Sequence, residues 1–389
     1  MSTKFLFLGI IIPFLATLLL VSWMHPWIVR LAMSKNLTDN PDARKLQKRP
    51  VPVLGGIAVF WGIVIGAGIT SLFFYSFAFF PTFVAITVMV YIGVLDDIMG
   101  LSAIMRLVVE VCVLLFLIYL DRYSINSLHG VFGIDGLPLH ASVALSVFAG
   151  AGIINSINLI DGVDGLSSGF CLTACAFFGF AFMTSGDGLM TVLAWLSVGS
   201  LFPFFMHNVF GKTSKMFVGD SGTLMLGTIM TVFVFRILDN RSRVSMAYPD
   251  MGMVAFTLSV LSVPVFDTLR VMILRILRKV SPFHPDKTHL HHLFIDFGFS
   301  HAGTSLSVIF LNLLNVICWF VSYQLGASPT VQFLVVLILG VLNTTGFYFV
   351  GRKLSPDHIL HRMLIRLGKR SHIGCRKYFL SLREFLDKR

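Results

Sequence analysis

The stretch NSINLIDGVDGL, residues 155–166, closes one apolar run and opens the next. Asn155, Asn158 and Asp161 recur every three residues, which places them on one helical face with Asp161 at its end. Gly162 and Gly165 then permit a tight turn that returns Asp164 to the same spot. The flanking runs, 141–160 and 166–185, each approach the roughly 20 residues that cross a hydrocarbon layer about 30 Å thick. An acid-bearing turn between two such runs reads as two membrane helices meeting at one face of a bilayer.

The same pattern repeats outward in both directions. The chain has 389 residues, 56% of them hydrophobic and 13% charged, with a mean hydropathy of +0.84, outside the range of an ordinary soluble domain. Apolar segments fall at 4–24, 54–76, 81–95, 103–120, 141–160, 166–185, 188–206, 221–238, 251–277, 303–324 and 330–350. The expected fold is therefore an all-α polytopic integral membrane protein of about 10–11 transmembrane helices. Residues 1–350 form one membrane domain and 351–389 a basic amphipathic tail. The first run is too long for a signal peptide and lacks a small-residue cleavage site before Trp23, so it reads as a retained helix.

Placing the N-terminus outside leaves only Lys4, Arg122, Arg236, Arg241 and Arg243 on the outer side; the other lysines and arginines face the cytoplasm, which sets the orientation. The net charge of +11 then belongs mostly to cytoplasmic loops and the tail. That suits membrane lipid headgroups and phosphorylated substrates; no nucleic-acid motif is present. Glycines and Pro138 between short apolar runs in 121–140 predict a small external β-hairpin. In the tail, Ile359, Leu360, Met363, Leu364 and Leu367 recur at helical spacing among basic residues, as in a helix on a membrane surface, a partner-binding helix or a solvated one.

Five carboxylates sit at segment ends on the cytoplasmic side: Asp96 and Asp97 in GVLDDIMG, Asp161 and Asp164, and Asp220 in FVGDSG. A charge near the bilayer core costs at least about 2.5 kcal/mol, so such a group is not decoration. Adjacent acids on a helix point in different directions, so Asp96 and Asp97 divide their roles, one toward a metal or phosphate and the other toward a basic neighbour. The acids and amides of 155–164 suit Mg²⁺, a nucleobase edge, or helix–helix hydrogen bonding. Asp220 opens a helix whose free N–H groups favour anions, while its own side chain either caps the helix or holds a cation.

The stretch SPFHPDKTHLHHLF collects His284, Lys287, His289, His291 and His292 beside Arg278 and Lys279, donors that suit a diphosphate; the spacing matches no familiar zinc pattern. Two further charges lie inside apolar segments. Glu110 follows Arg106 by four residues, which predicts an ion pair, and Asp267 follows Pro264 and precedes Arg270 by one turn, which predicts another.

Taken together, DNPDARK (39–45), VPVLGG (51–56), LDD (95–97), NSINLIDGVDGL (155–166), FVGDSG (217–222) and SPFHPDKTHLHH (281–292) resemble, in order, the motifs of the polyprenyl-phosphate N-acetylhexosamine-1-phosphate transferase family. The HxHH loop is similar to the WecA and TagO branch, which is related to MraY. The resemblance implies transfer of a sugar 1-phosphate, most simply GlcNAc-1-phosphate, from a UDP-N-acetylhexosamine to undecaprenyl phosphate. UMP is released, Mg²⁺ (or Mn²⁺) is required, and the reaction begins cell-envelope polysaccharide synthesis at the bacterial cytoplasmic (inner) membrane. By the same resemblance, Asp220 is the metal aspartate and Asp96 and Asp97 the catalytic acidic pair, as metal ligand, base or nucleophile. Asp161 and Asp164 lie near the nucleotide, Phe217 stacks on uracil, Arg49 is a basic substrate contact, and His289, His291 and His292 are the catalytic histidine motif; Asn155, Asn158 and Lys287 are expected to bind substrate from the chemistry of their own stretches. Asp42, where the family often has Asn, and NVFGKTSK at 208–215 depart from the pattern; the latter leaves no transferable role for Asn208.

Two other classes compete. A transporter also carries intramembrane charges and broken helices, but its binding groups lie near the midplane. A CDP-alcohol phosphotransferase needs an Asp-Gly followed by Ala-Arg, which DGVDGL lacks. The sequence leaves the choice between monomer and homodimer open.

Overall fold

Residues 4–39, 50–74, 80–282, 286–372 and 377–388 are described by a computed structural model. Ten helices among them are long and apolar enough to cross a membrane. They are α1 (Phe5–Ser34), α2 (Gly55–Phe73), α3 (Phe80–Met99), α4 (Ala103–Asp121), α5 (Leu139–Leu159), α6 (Leu166–Ser185), α7 (Gly188–Phe210), α8 (Gly219–Ile237), α13 (His301–Gln324) and α14 (Pro329–Lys353). Shorter helices fill the gaps: α9 (Arg243–Ala247), α10 (Met253–Val260), α11 (Ser262–Leu277) and α12 (Leu290–Asp296), followed in the tail by α15 (Ile359–Arg370) and α16 (Lys377–Asp387). The expected all-α polytopic fold is borne out, and so is the hairpin: β3 (Ser127–Val131) pairs antiparallel with β4 (Ile134–Gly136). A second small ribbon, β1 (Thr38–Asp39) with β2 (Val51–Pro52), lies beside the site.

The apolar segment 251–277, whose Pro264 allows a break, is two helices. Pro264 has no N–H for the carbonyl of Val260 four residues earlier, and the helix breaks at Leu261. Asn312 of α13 repairs the break: its Nδ2 donates to Val260 O at 2.9 Å and its Oδ1 accepts from Val263 N at 3.0 Å.

Helix α8 is the axis of the bundle, buried along nearly its whole length against α3, α5 and α2. Lipid is as apolar as leucine, so burial of α8 is not driven by the hydrophobic effect; close packing of small residues has to supply it. The crossing shows this directly. A Cβ on Gly56 would lie 2.2 Å from Gly222 N, and one on Gly93 would lie 2.3 Å from Ser221 Cα. Backbones this close bring the C-terminus of α3 and the N-termini of α2 and α8 to one point. Large apolar side chains on the outer helices, such as Leu19, Trp23 and Trp27 of α1, stay exposed, as a lipid-facing surface requires.

Candidate active site

Alternation of the helices puts the ends at 34–55, 96–103, 159–166, 210–219, 277–301 and 353 on one face. There they enclose a cavity of about 500 Å³. Asp96, Asp97, Asn158, Asp161, Asp164, Phe217, Asp220 and His292 all line it, with Asp39, Asn208 and His301. Residues from five separate stretches therefore meet in one place.

Asp96 and Asp97 point to different partners, one to a basic residue and the other to backbone N–H groups. Asp96 is buried; its Oδ2 accepts from Arg106 Nη1 at 2.7 Å and its Oδ1 from Leu101 N at 2.6 Å. Asp97 turns to the N-terminus of α8 and accepts from Asp220 N at 2.8 Å and Ser221 N at 3.2 Å. The anion that the free N–H groups of α8 were expected to attract is thus the protein's own Asp97. Gly219 makes the contact possible: its φ of +69° suits glycine, and a Cβ there would lie 2.6 Å from Asp97 Oδ2. Asp220, freed from capping, points into the cavity. Its Oδ1 accepts from Asn158 Nδ2 at 2.6 Å, and its Oδ2 lies 3.6 Å from Arg106.

The turn after α5 carries the other two acids. Asp161 accepts a hydrogen bond from the Ser167 hydroxyl. Loss of hydration pushes it up to about 7, aided by the charges of Asp164 and Asp97 and opposed by Ser167. Asp164 differs: burial would raise it, but His301 Nδ1 at 2.8 Å and Lys215 Nζ at 2.5 Å hold it below the usual carboxylate range. Its second oxygen, Oδ1, is buried with no partner. Asn208 braces this turn, accepting from Gly165 N at 2.6 Å and donating to Met216 O at 2.7 Å. Lys215 also stands 5.6 Å from the centre of the half-buried Phe217 ring.

The histidines separate. His292 lines the cavity. The His291 ring abuts the acidic turn, since a Cβ on Gly162 would lie 2.5 Å from its Nε2. Burial, with the neighbouring histidines, holds His291 well below its ordinary value, so the ring is neutral, and its buried Nδ1 has no partner. His289 instead pairs with Asp267 at 2.9 Å, away from the cavity wall. Asp267 also takes Arg270 at 2.6 Å, so that expected pair is present and anchors the loop. Lys287 is exposed. Asn155 donates to Glu110 at 2.6 Å rather than facing the cavity. The expected Arg106–Glu110 ion pair is a correction: the acids at the end of α3 and the start of α8 draw Arg106 to themselves. Arg49 and His284 lie outside the described residues.

Arg106, Lys215 and His301 were not read as site residues. Lys215, two positions before Phe217, carried a signal in its spacing. Arg106 was hidden by a nearer acid in sequence, and His301 by lying at the start of a membrane helix.

The donor set fits Mg²⁺. Asp220 Oδ2, the second oxygen of Asp161 and the orphaned Asp164 Oδ1 are hard oxygen donors with incomplete partners, and Mg²⁺ takes one or two carboxylates together with phosphate oxygens and water. Among the described residues no group of three His, Cys, Asp or Glu that could hold a metal ion by itself is present.

Residues 79–237 match the family described as glycosyl transferase family 4. Over 364 residues the chain is 27% identical to a Bacillus subtilis (strain 168) protein named probable undecaprenyl-phosphate N-acetylglucosaminyl 1-phosphate transferase, covering 92% of this chain and 97% of that one. It is 27% identical over 274 residues to the Escherichia coli (strain K12) undecaprenyl-phosphate alpha-N-acetylglucosaminyl 1-phosphate transferase, with 70% and 72% covered. A Salmonella typhi protein of that name is 26% identical over 344 residues, with 88% and 90% covered. These matches accompany a fold of ten helices able to cross a membrane and a single acid-lined cavity at their ends. The resemblance read from the motifs is borne out: the relatives that this chain matches are named as undecaprenyl-phosphate N-acetylglucosaminyl 1-phosphate transferases.

Proposed function

We propose that this chain transfers N-acetylhexosamine 1-phosphate, GlcNAc-1-phosphate first among the candidates, from a UDP-sugar to undecaprenyl phosphate. The products are undecaprenyl-diphosphate-sugar and UMP, and the step opens cell-envelope polysaccharide synthesis at the cytoplasmic face of a bacterial inner membrane. The observation that carries this reading is the single cavity at the helix ends where Asp97, Asn158, Asp161, Asp164, Phe217, Asp220 and His292 meet. A transporter places its binding groups near the midplane, and these lie at one face.

An oxygen of the lipid phosphate attacks the β-phosphorus, and the bond from that phosphorus to the bridging oxygen breaks, leaving with UMP. A phosphomonoester has a second pKa near 6, so the attacking group is already largely ionised and a general base adds little. Positioning and charge are what the protein must supply. His292 and His301 line the cavity, and Arg106 and Lys215 stand against its acids Asp220 and Asp164, together offering donors for phosphate oxygens. Phe217 offers a flat apolar face to uracil. Asp97 holds the start of α8 so that Asp220 keeps its aim, and Asn158 fixes the carboxylate rotamer. Asp220, with Asp161, would hold Mg²⁺, which neutralises charge on the diphosphate and on departing UMP.

The test is an assay of purified, detergent-solubilised protein with undecaprenyl phosphate, Mg²⁺ and a panel of UDP-sugars, following UMP and lipid product. Formation of a lipid diphosphate-sugar that stops with EDTA is expected. Silence across the panel from folded protein, with EDTA making no difference, would overturn the reading.

A further inference from the structure

The last helix of the chain returns to the site. Its Asp387 carboxylate accepts from three successive backbone N–H groups, those of Lys212 (3.1 Å), Thr213 (3.1 Å) and Ser214 (3.0 Å), and from the Ser214 hydroxyl (2.9 Å). Consecutive N–H groups turned toward one anion form a nest, a strong and directional way to fix a loop. The same helix secures the preceding one: Arg383 Nε donates to Phe210 O at 3.2 Å at the C-terminus of α7, and the Phe379 ring stacks on Phe210 at 5.3 Å. Leu386 is buried in the contact.

The loop held in this way is 211–216, which joins α7 to α8. Its other side is fixed by the buried His25, which meets Ser214 O at 2.8 Å, and by His207 against the Ser214 hydroxyl at 3.1 Å. Next in the chain comes Lys215, whose ammonium meets Asp164 in the cavity, and then Phe217. A shift of the Ser214 backbone moves Lys215 directly, because one peptide unit separates them.

We propose that Asp387 is a positioning residue. Through the 212–214 nest the C-terminal helix holds Lys215 against Asp164, and so sets affinity for the nucleotide-sugar rather than the chemical step. The inference rests on the functional reading above for its substrate, but the brace itself stands apart from that reading.

The experiment uses full-length protein in nanodiscs and two readouts. The first is the rate at which an amine-reactive ester acylates Lys215 without substrate, measured by peptide mass spectrometry. The second is KM and kcat for the UDP-sugar. Asp387→Asn keeps the side-chain shape and removes the charge. It is expected to speed Lys215 acylation several-fold and raise KM by about three- to tenfold, with kcat within about twofold. Asp387→Glu should return both toward wild type. Adding Lys215→Ala to Asp387→Asn should give no further rise in KM than Lys215→Ala alone, because both act through one contact.

Unchanged acylation and KM in Asp387→Asn would overturn the proposal, as would additive effects in the double variant or a fall in kcat at constant KM. If Asp387→Asn does not fold, Arg383→Ala, which loosens the same helix at Phe210, carries the same expectations. If the wild-type chain turns over no UDP-sugar, the functional reading falls and the acylation comparison still decides the brace.

Discussion

The two ends of the bundle treat their acids differently. On the face away from the cavity, the buried Asp187 and Asp239 and the half-buried Asp121 are matched: Asp187 with Arg236 at 2.7 Å, Asp121 with Thr82 at 2.7 Å, and Asp239 with Asn126 at 2.8 Å. On the cavity face, Asp96, Asp97, Asp161, Asp164 and Asp220 crowd around Arg106 and Lys215, and Asp164 keeps an oxygen without a partner. Matched acids fasten helices together. Unmatched ones store a demand for cations, and only the second arrangement costs stability that a ligand can return.

The largest expected effect separates the two ends by function. Asp220→Ala should lower turnover about a hundred- to a thousandfold and abolish its response to Mg²⁺ in the UMP-release assay. Retained Mg²⁺-stimulated turnover would erase the distinction between the two faces. Gly93→Ala sharpens it by moving the acids without changing them. The added Cβ meets the start of α8, and the variant should lose about 1–3 kcal/mol of stability, read as a lower melting temperature, together with activity. On the opposite face Asp187→Ala should cost no more than about 2 kcal/mol, since Arg236 is partly solvated, and leave kcat within about twofold. A collapse of kcat with intact folding would contradict the division.

The smallest effect is a pH dependence. Asp161 titrates near 7 in the folded protein against an ordinary 3.8, so between those values the folded chain binds more protons than the unfolded one. The contribution of Asp161 to stability therefore falls as pH rises from about 4 to about 7 and is flat above that. Asp161→Asn should remove this slope, and Mg²⁺ should raise the wild-type melting temperature more at pH 8 than at pH 5. A melting temperature whose pH slope is identical in wild type and variant would show that Asp161 is not strained.

Much of the candidate site was legible because its acids lie at segment ends in glycine-rich turns, where one-dimensional spacing already implies a shared face. The histidine loop was less legible. His289 and His292 are three residues apart and look equivalent, yet Asp267, distant in sequence, takes the first and leaves the second to the cavity. Arg106 was misassigned for a related reason. Its i+4 neighbour Glu110 is the obvious partner on a helix, but Asn155 satisfies Glu110, and the acids of two other helices draw the guanidinium away.

The amino-acid sequence by itself determined that the chain crosses a membrane many times and that its acids and glycines gather at helix ends on one side, because hydrophobic length and residue spacing are local properties. It also carried the break before Pro264, since a missing N–H is a local defect. Which carboxylate caps α8, which faces the cavity, and which basic groups attend them were decided only in the tertiary structure. Those choices depend on how closely backbones approach at Gly56 and Gly93 and on a C-terminal helix packed against a loop more than 160 residues earlier in the chain, and no local pattern records such distances.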